Sequence, residues 1–313
     1  MTALSPQDFA TTDEQKRTML DTAWDLVSAD QVPADEPVLT YVSAQSAAGK
    51  SHMVSRLQRT RPGVVVDSDE IRLLHPRLDE IVDADEMRMD VLSNEPVGFV
   101  FAGILERCRE NRFNAYLENT LTNTATVKRT VCDFVADGYS IVVELVATPG
   151  EVSRLGIAQR YFAQKQLGLP FPRWTSIAGH DRGYNAVPDA ILPLDDAIDT
   201  FHVWHDGERV GTFTSAEEAR ASLLRFRQLA GAHGNASFQA ELRATLPHIA
   251  TLAACSEKVR PLYDYLKGLS KETRRKLPNM PSTAVTATLI PTTMIQDCAI
   301  RSTLSEDSPL STQ

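Results

Sequence analysis

Val38-Leu39-Thr40-Tyr41-Val42-Ser43-Ala44-Gln45-Ser46-Ala47-Ala48-Gly49-Lys50-Ser51 is the stretch that decides the fold. Its first five residues are apolar, aromatic or β-branched with little alternation, as in a strand buried on both faces. The next eight end in Gly-Lys-Ser, and a helix-compatible segment, His52 to Gln58, follows. A strand, a loop of small residues and a helix start in that order make a phosphate cradle. Consecutive backbone N–H groups point at the anion, and the helix dipole favours negative charge. The pattern G-x-x-x-x-G-K-[ST] is met at its second glycine, its lysine and its hydroxyl. Its first position is Ala44, which requires a backbone conformation there that a residue with Cβ can adopt. Residues Ala44, Gln45, Ser46, Ala47, Ala48, Gly49, Lys50 and Ser51 would then surround nucleotide phosphates. Lys50 would reach the β- and γ-phosphates, and the Ser51 hydroxyl would ligate Mg²⁺.

Outward from this loop the pattern stays α/β. Val64 to Asp67 (VVVD), Asn114 to Glu118 (NAYLE) and Ile141 to Val146 (IVVELV) read as further buried strands. The stretches between them are long enough for crossover helices, so the expected sheet is mainly parallel and doubly wound. Residues 12–30 read as an amphipathic helix carrying Met19, Leu20, Trp24 and Leu26. Phe201–Trp204 and Val210–Phe213 flank His205-Asp206-Gly207-Glu208, an Asp-Gly hairpin signal. Ser215 and Glu218 fit a capping box opening a helix to about Ala230. Residues 236–268 also read as helical, with Pro247 expected to break or kink them. Residues 279–313 are rich in Thr, Ser and Pro and read as a flexible tail. The expected division is an N-terminal helical segment (1–35), an α/β core with the phosphate-binding loop (36–214), a C-terminal helical extension (215–278) and the tail (279–313).

The chain of 313 residues carries 32 Lys and Arg against 41 Asp and Glu, a net charge of −9. That balance argues against a protein that coats nucleic acid or an anionic membrane. The charge is unevenly spread: residues 67–95 hold ten acids and three arginines, whereas residues 150–185 are net basic. No apolar run reaches the length of a membrane span, and residues 1–21 lack the apolar centre of a secretory signal. The four cysteines are widely spaced and suggest neither a zinc site nor a disulfide framework. The expected location is the cytoplasm, with delivery into another cell left open.

Val64-Val65-Val66-Asp67-Ser68-Asp69 puts two carboxylates at the C-terminal end of a strand, the end that faces the ligand crevice in open α/β sheets. Phosphoryl transfer to a hydroxyl needs a carboxylate to orient and deprotonate it. Asp69 is the candidate base, and Asp67 the candidate to assist Mg²⁺ through water. On residue type alone, Asp69 could equally cap the helix that follows.

These motifs resemble the zeta toxin family of P-loop phosphotransferases, related to UDP-N-acetylglucosamine kinases. The resemblance is spread over residues 38–189. It rests on AQSAAGKS, on VVVDSDEIRLLHPRLDEI with His75-Pro76 and Asp79-Glu80, on YLENTLTN, on LGIAQRY, and on the stretch from Arg173 through His180-Asp181 to Val187-Pro188. It implies a P-loop kinase-like three-layer sandwich using ATP or GTP with Mg²⁺. Lys50, Asp69, Arg160 and Arg173 become the catalytic set, with both arginines on the transferred phosphate. Glu118, Thr120 and Thr130 fall where the family contacts substrate. The chain departs from the family at Ala44 and at Ala102, which stands where UDP-sugar kinases carry a glutamate; Glu106 lies one turn later. The implied acceptor is a nucleotide sugar, first UDP-N-acetylglucosamine at its 3′-hydroxyl, or else NAD or another nucleotide. An antitoxin is the implied protein partner. A nucleotide-binding or interaction protein without catalysis, or a helical partner-binding module at 215–268, are the readings from other classes.

Overall fold

The Val38–Ser43 segment forms β1, and all six of its residues are buried. It is the centre of the sheet in this computed structural model, which describes residues 4–169, 171–229 and 236–276. The expected tail at 279–313 lies outside the described residues.

In chain order the elements are α1 (Asp13–Ser28), β1, α2 (Lys50–Gln58), β2 (Val64–Val66), α3 (Ser68–Arg72), α4 (Leu78–Asp85), α5 (Met89–Leu92), α6 (Val97–Glu110), β3 (Ala115–Asn119), α7 (Thr124–Ala136), β4 (Ser140–Val146), α8 (Gly150–Gln166), α9 (Ile177–Ala190), β5 (Thr200–His205), β6 (Glu208–Phe213), α10 (Ala216–Leu229), α11 (Ala236–Cys255) and α12 (Arg260–Lys276). Short 3₁₀ turns fill some of the joints. The sheet order is β2-β3-β1-β4-β5-β6. All neighbours are parallel except the β5–β6 hairpin. The Asp-Gly signal sits at its turn, with Asp206 and Gly207 both left-handed (φ 48° and 78°), as a two-residue hairpin requires.

Register decides what the sheet carries at its C-terminal edge. Val42 pairs with Glu118 across β1 and β3, and Val66 pairs with Leu117 across β2 and β3. The loop after β1, Glu118 and Asp67 therefore leave the sheet side by side.

The helices cover both faces. Thr12 and Gln15 cap α1 reciprocally, and α1 packs against α6 with Trp24 stacked on Phe113 at 5.9 Å. Ala216, Ala219 and Leu223 of α10 join the same core as Phe201 and Val203 of β5. A second core unites α8 (Leu155, Ile157, Ala158, Tyr161) with Trp174, with Leu242 and Ile249 of α11 and with Leu262 and Leu266 of α12.

Pro247 does not break its helix: α11 runs unbroken from Ala236 to Cys255, and the interruption falls at 256–259. Pro247 is exposed, so water can reach the carbonyl whose hydrogen bond the proline removes. None of the described helices is long and apolar enough to cross a membrane.

Candidate functional site

The loop after β1 bends through two left-handed residues, Ala47 (φ 58°) and Gly49 (φ 90°). Ala44 is not among the left-handed positions, and its Cβ is fully buried with Val42, Met53 and Val54. An alanine at the first loop position thus fits without strain. Ser46 to Ser51 line a large cleft over the sheet edge, while Ala44 and Gln45 turn away from it. Lys50 Nζ donates to the carbonyls of Ala44 (3.1 Å) and Gln45 (3.0 Å). Burial lowers its pKa, Glu118 acting against burial and Arg160 with it. The Ser51 hydroxyl donates to Glu118 Oε2 at 2.8 Å.

Two acids follow β2 with different jobs. Asp67, not Asp69, caps α3: its Oδ1 accepts the Asp69 N–H at 2.9 Å. Asp69 is left to side-chain partners. Arg173 Nη1 donates to its Oδ2 at 3.0 Å, and Arg72 Nη1 to its Oδ1 at 2.8 Å. Burial alone would raise the Asp69 pKa, but Arg173, Arg72, Arg160 and Lys50 outweigh it and hold the carboxyl at about 2. Asp67 shifts upward, through burial and the neighbouring Asp69 charge, although Arg173 lies 3.7 Å away. Glu118 is pushed up to about 7 by burial and by Asp67. Arg173 is raised, the Asp69 and Asp67 charges overcoming its burial. Arg160 is lowered to about 10 by burial and by Arg173, and its Nη2 donates to Thr175 Oγ1 at 3.1 Å. Thr175 in turn meets Ser46 Oγ at 2.9 Å.

The Asp67 and Glu118 carboxyls, both raised chiefly by burial, form an all-oxygen set with the Ser51 hydroxyl. That is the donor chemistry of a hard dication bound with a nucleotide. Among the described residues no three His, Cys, Asp or Glu side chains form a metal cage. A magnesium ion that keeps its waters and phosphate ligands needs none.

The cleft measures about 2410 Å³, beyond the roughly 300–1,000 Å³ of a one-ligand pocket. Its far half runs between α6 and α7. Ala102 and Glu106 line one wall, with Thr126, Arg129 and Thr130 opposite. Thr120 lies between the halves, its hydroxyl 3.4 Å from that of Thr122. Thr130 lies beside the hydroxyl of buried Tyr41. Arg72 was not a sequence candidate, although its place three residues after Asp69 on a short helix could have marked it. His75 and Glu80 have local roles: His75 Nδ1 accepts the Arg77 N–H at 3.1 Å, and Glu80 pairs with Arg77 at 2.8 Å.

Behind the loop lies a buried polar chain. Gln45 Nε2 donates to Thr148 O (2.8 Å) and to Ser153 Oγ (3.0 Å). Ser153 Oγ is 2.8 Å from His180 Nε2, and His180 Nδ1 is 2.8 Å from Asp181 Oδ1. Burial lowers the His180 pKa. A neutral imidazole giving its Nδ1 proton to Asp181 leaves Nε2 to accept from Ser153. Arg154 donates to Asp181 at 2.7 Å and to the Tyr265 hydroxyl at 3.1 Å.

Comparison with known proteins follows the same lines. A family model described as Zeta toxin matches residues 22–215. Toxin PezT of Streptococcus pneumoniae serotype 4 is 24% identical over 163 residues, which is 51% of this chain and 64% of the relative. Toxin zeta of Streptococcus agalactiae is 23% identical over 152 residues, 48% of this chain and 53% of the relative. The matched stretch therefore spans less than two thirds of the length of either. A solved chain from a characterisation of the PezAT chromosomal toxin-antitoxin system of Streptococcus pneumoniae superposes with a TM-score of 0.62. It is 17% identical, and the match covers 85% of this chain and 98% of that one, a likeness of fold.

Proposed function

This chain belongs to the zeta toxin family, and from that premise we propose that it is a kinase that moves a phosphoryl group from ATP or GTP to a hydroxyl of a nucleotide-containing small molecule. The first candidate acceptor is the 3′-hydroxyl of UDP-N-acetylglucosamine; NAD or another nucleotide is the second. The observation that carries the reading is the Asp69–Arg173 pair, 3.0 Å apart, in the same cleft as Lys50 and Ser51. The volume of that cleft suits two nucleotide-sized ligands better than one.

The chemistry follows from these groups. The loop N–H groups take the phosphates, and Lys50 leaves the loop carbonyls to follow them. Arg160 and Arg173 stabilise the charge on the moving phosphoryl, which needs no proton transfer. Arg173 is shared between that phosphoryl and Asp69. Asp69, ionised at neutral pH, orients the acceptor hydroxyl and accepts its proton. Ser51, with Asp67 and Glu118 through water, would hold Mg²⁺, whose contribution is to neutralise phosphate charge. Thr120 and Thr130 lie on the acceptor side. Consumption of a cell-wall precursor or a dinucleotide cofactor would make the enzyme toxic, and an antitoxin covering the nucleotide site is the expected partner.

Ala102 favours keeping the second acceptor in view. A methyl group there supplies no carboxylate to a sugar, and it leaves the α6–α7 groove open to a larger ligand. The test is direct. The purified chain with Mg²⁺-ATP is offered UDP-N-acetylglucosamine, NAD and a nucleotide panel, and products are read by mass. One acceptor gains one phosphate, and Lys50→Ala abolishes the gain. Absence of any product together with absence of ATP binding refutes the proposal.

A further inference from the structure

Arg227 is 4% exposed, yet among the described residues no carboxylate pairs with it. Its Nη1 donates to the Tyr184 carbonyl at 2.7 Å and its Nη2 to Gln45 Oε1 at 2.9 Å. The guanidinium lies 4.4 Å over the Tyr184 ring, and its Nε has no partner. Burial lowers its pKa to about 10. A buried cation without a counterion is costly, and a well-packed apolar side chain of similar volume would be less so. Among the described residues, neutral groups hold this one: the carbonyl and ring of Tyr184 on α9 and the second residue of the phosphate loop.

Gln45 is 0% exposed, and its amide has one possible orientation. Arginine can only donate, so Oε1 must face Arg227; the Thr148 carbonyl can only accept, so Nε2 must face Thr148. Its two amide protons go to Thr148 and Ser153 and its oxygen takes the guanidinium. The backbone carbonyl of the same residue accepts from Lys50 Nζ at 3.0 Å.

We propose that Arg227 is a positioning residue for nucleotide binding: it clamps Gln45 and so fixes the phosphate loop from behind. This rests on the reading of the loop as a nucleotide site. Arg227 is on α10, beyond the matched residues 22–215, and reaches across 182 positions of sequence. It also places a fixed positive charge on the covered side of a loop that receives anions, where low dielectric strengthens its field.

The experiment compares the full chain with Arg227→Met, Arg227→Lys and Gln45→Met. Amide hydrogen exchange is followed at residues 44–51, with 38–43 and 140–146 as internal controls, and Mg²⁺-ATP affinity is measured by calorimetry. Exchange at 44–51 rises by about tenfold and the ATP dissociation constant by about tenfold in Arg227→Met and Gln45→Met, the scale of one lost charge-assisted hydrogen bond. Arg227→Lys, which keeps the charge but loses the fork, falls between. The control strands do not change. A merely structural role would speed exchange in the control strands as well, and that result overturns the proposal. So does any folded variant whose loop exchange and ATP affinity equal the wild type. If Arg227→Met does not fold, Arg227→Lys and Gln45→Met decide. If the wild type binds no ATP, the kinase reading falls, and loop exchange alone still upholds or overturns the clamp.

Discussion

Asp69→Asn replaces one carboxylate oxygen with an amide and keeps the shape of the side chain. The cost can be worked from the surroundings. Burial opposes the charge, but Arg173 and Arg72 prevail and hold the carboxyl at about 2 rather than 3.8. One pH unit corresponds to ~1.4 kcal/mol. The side chain is 33% exposed, so solvent screening reduces the total, leaving about 2 kcal/mol in favour of the charged form. Asparagine is a neutral mimic and forfeits that amount. The sign with pH follows from a depressed native pKa. The Asp69 contribution is complete above 3.8 and disappears as pH falls through about 2. Urea unfolding at pH 7 should therefore find the variant less stable by about 2 kcal/mol, with the gap closing in acid. Phosphate transfer should fall by about 10²–10⁴-fold, the range for loss of a general base. ATP binding should not weaken, because Arg173 and Arg160 lose a competing carboxylate. Transfer at the wild-type rate would remove Asp69 as the base. Weaker ATP binding with unaltered stability would refute the electrostatic argument.

Glu118→Gln should change the pH profile of stability. The native carboxyl binds its proton more tightly than the unfolded one, so wild-type stability declines between 4.5 and about 7. The variant should lack that decline and gain relative stability at pH 8, read from urea midpoints at pH 5 and 8. Ala102→Glu should raise transfer to UDP-N-acetylglucosamine relative to NAD, measured by phosphate incorporation with both acceptors present. At Gly63 an added Cβ would lie 2.8 Å from the Asn114 carbonyl oxygen, where β2 meets β3. Gly63→Ala should therefore cost about 1–3 kcal/mol, seen as a lower thermal midpoint, and weaken ATP binding by displacing Asp67.

What could be read in advance was local. The unbroken run VLTYVS, the Gly-Lys-Ser after it and the Asp-Gly turn each carry their structure in adjacent residues. The mainly parallel pairing followed from strands separated by helical lengths, whereas the order of the strands was not legible in the sequence. The capping of α3 was less legible, because Asp67 and Asp69 both suit the role. Only the end of β2 at Val66 assigns it to Asp67. Pro247 does not interrupt α11, because the cost of a proline depends on which side of the helix is wet. Gln45 was read as a loop residue facing phosphates, whereas its side chain turns back to Arg227; that meeting was beyond reach because it depends on α10 folding back over the sheet.

The central place of β1 has a consequence during synthesis. The loop-bearing strand is made before both of its neighbours, residues 115–119 and 140–146. Arg160 and Arg173 are translated later still, and Arg227 after them. At 5–20 residues per second, roughly 10–35 s pass between Lys50 and Arg227. A nascent chain thus carries its lysine and serine long before it has a pocket to put them in. On the kinase reading proposed above, phosphoryl transfer would have to wait until Arg160 and Arg173 are made and docked against β1.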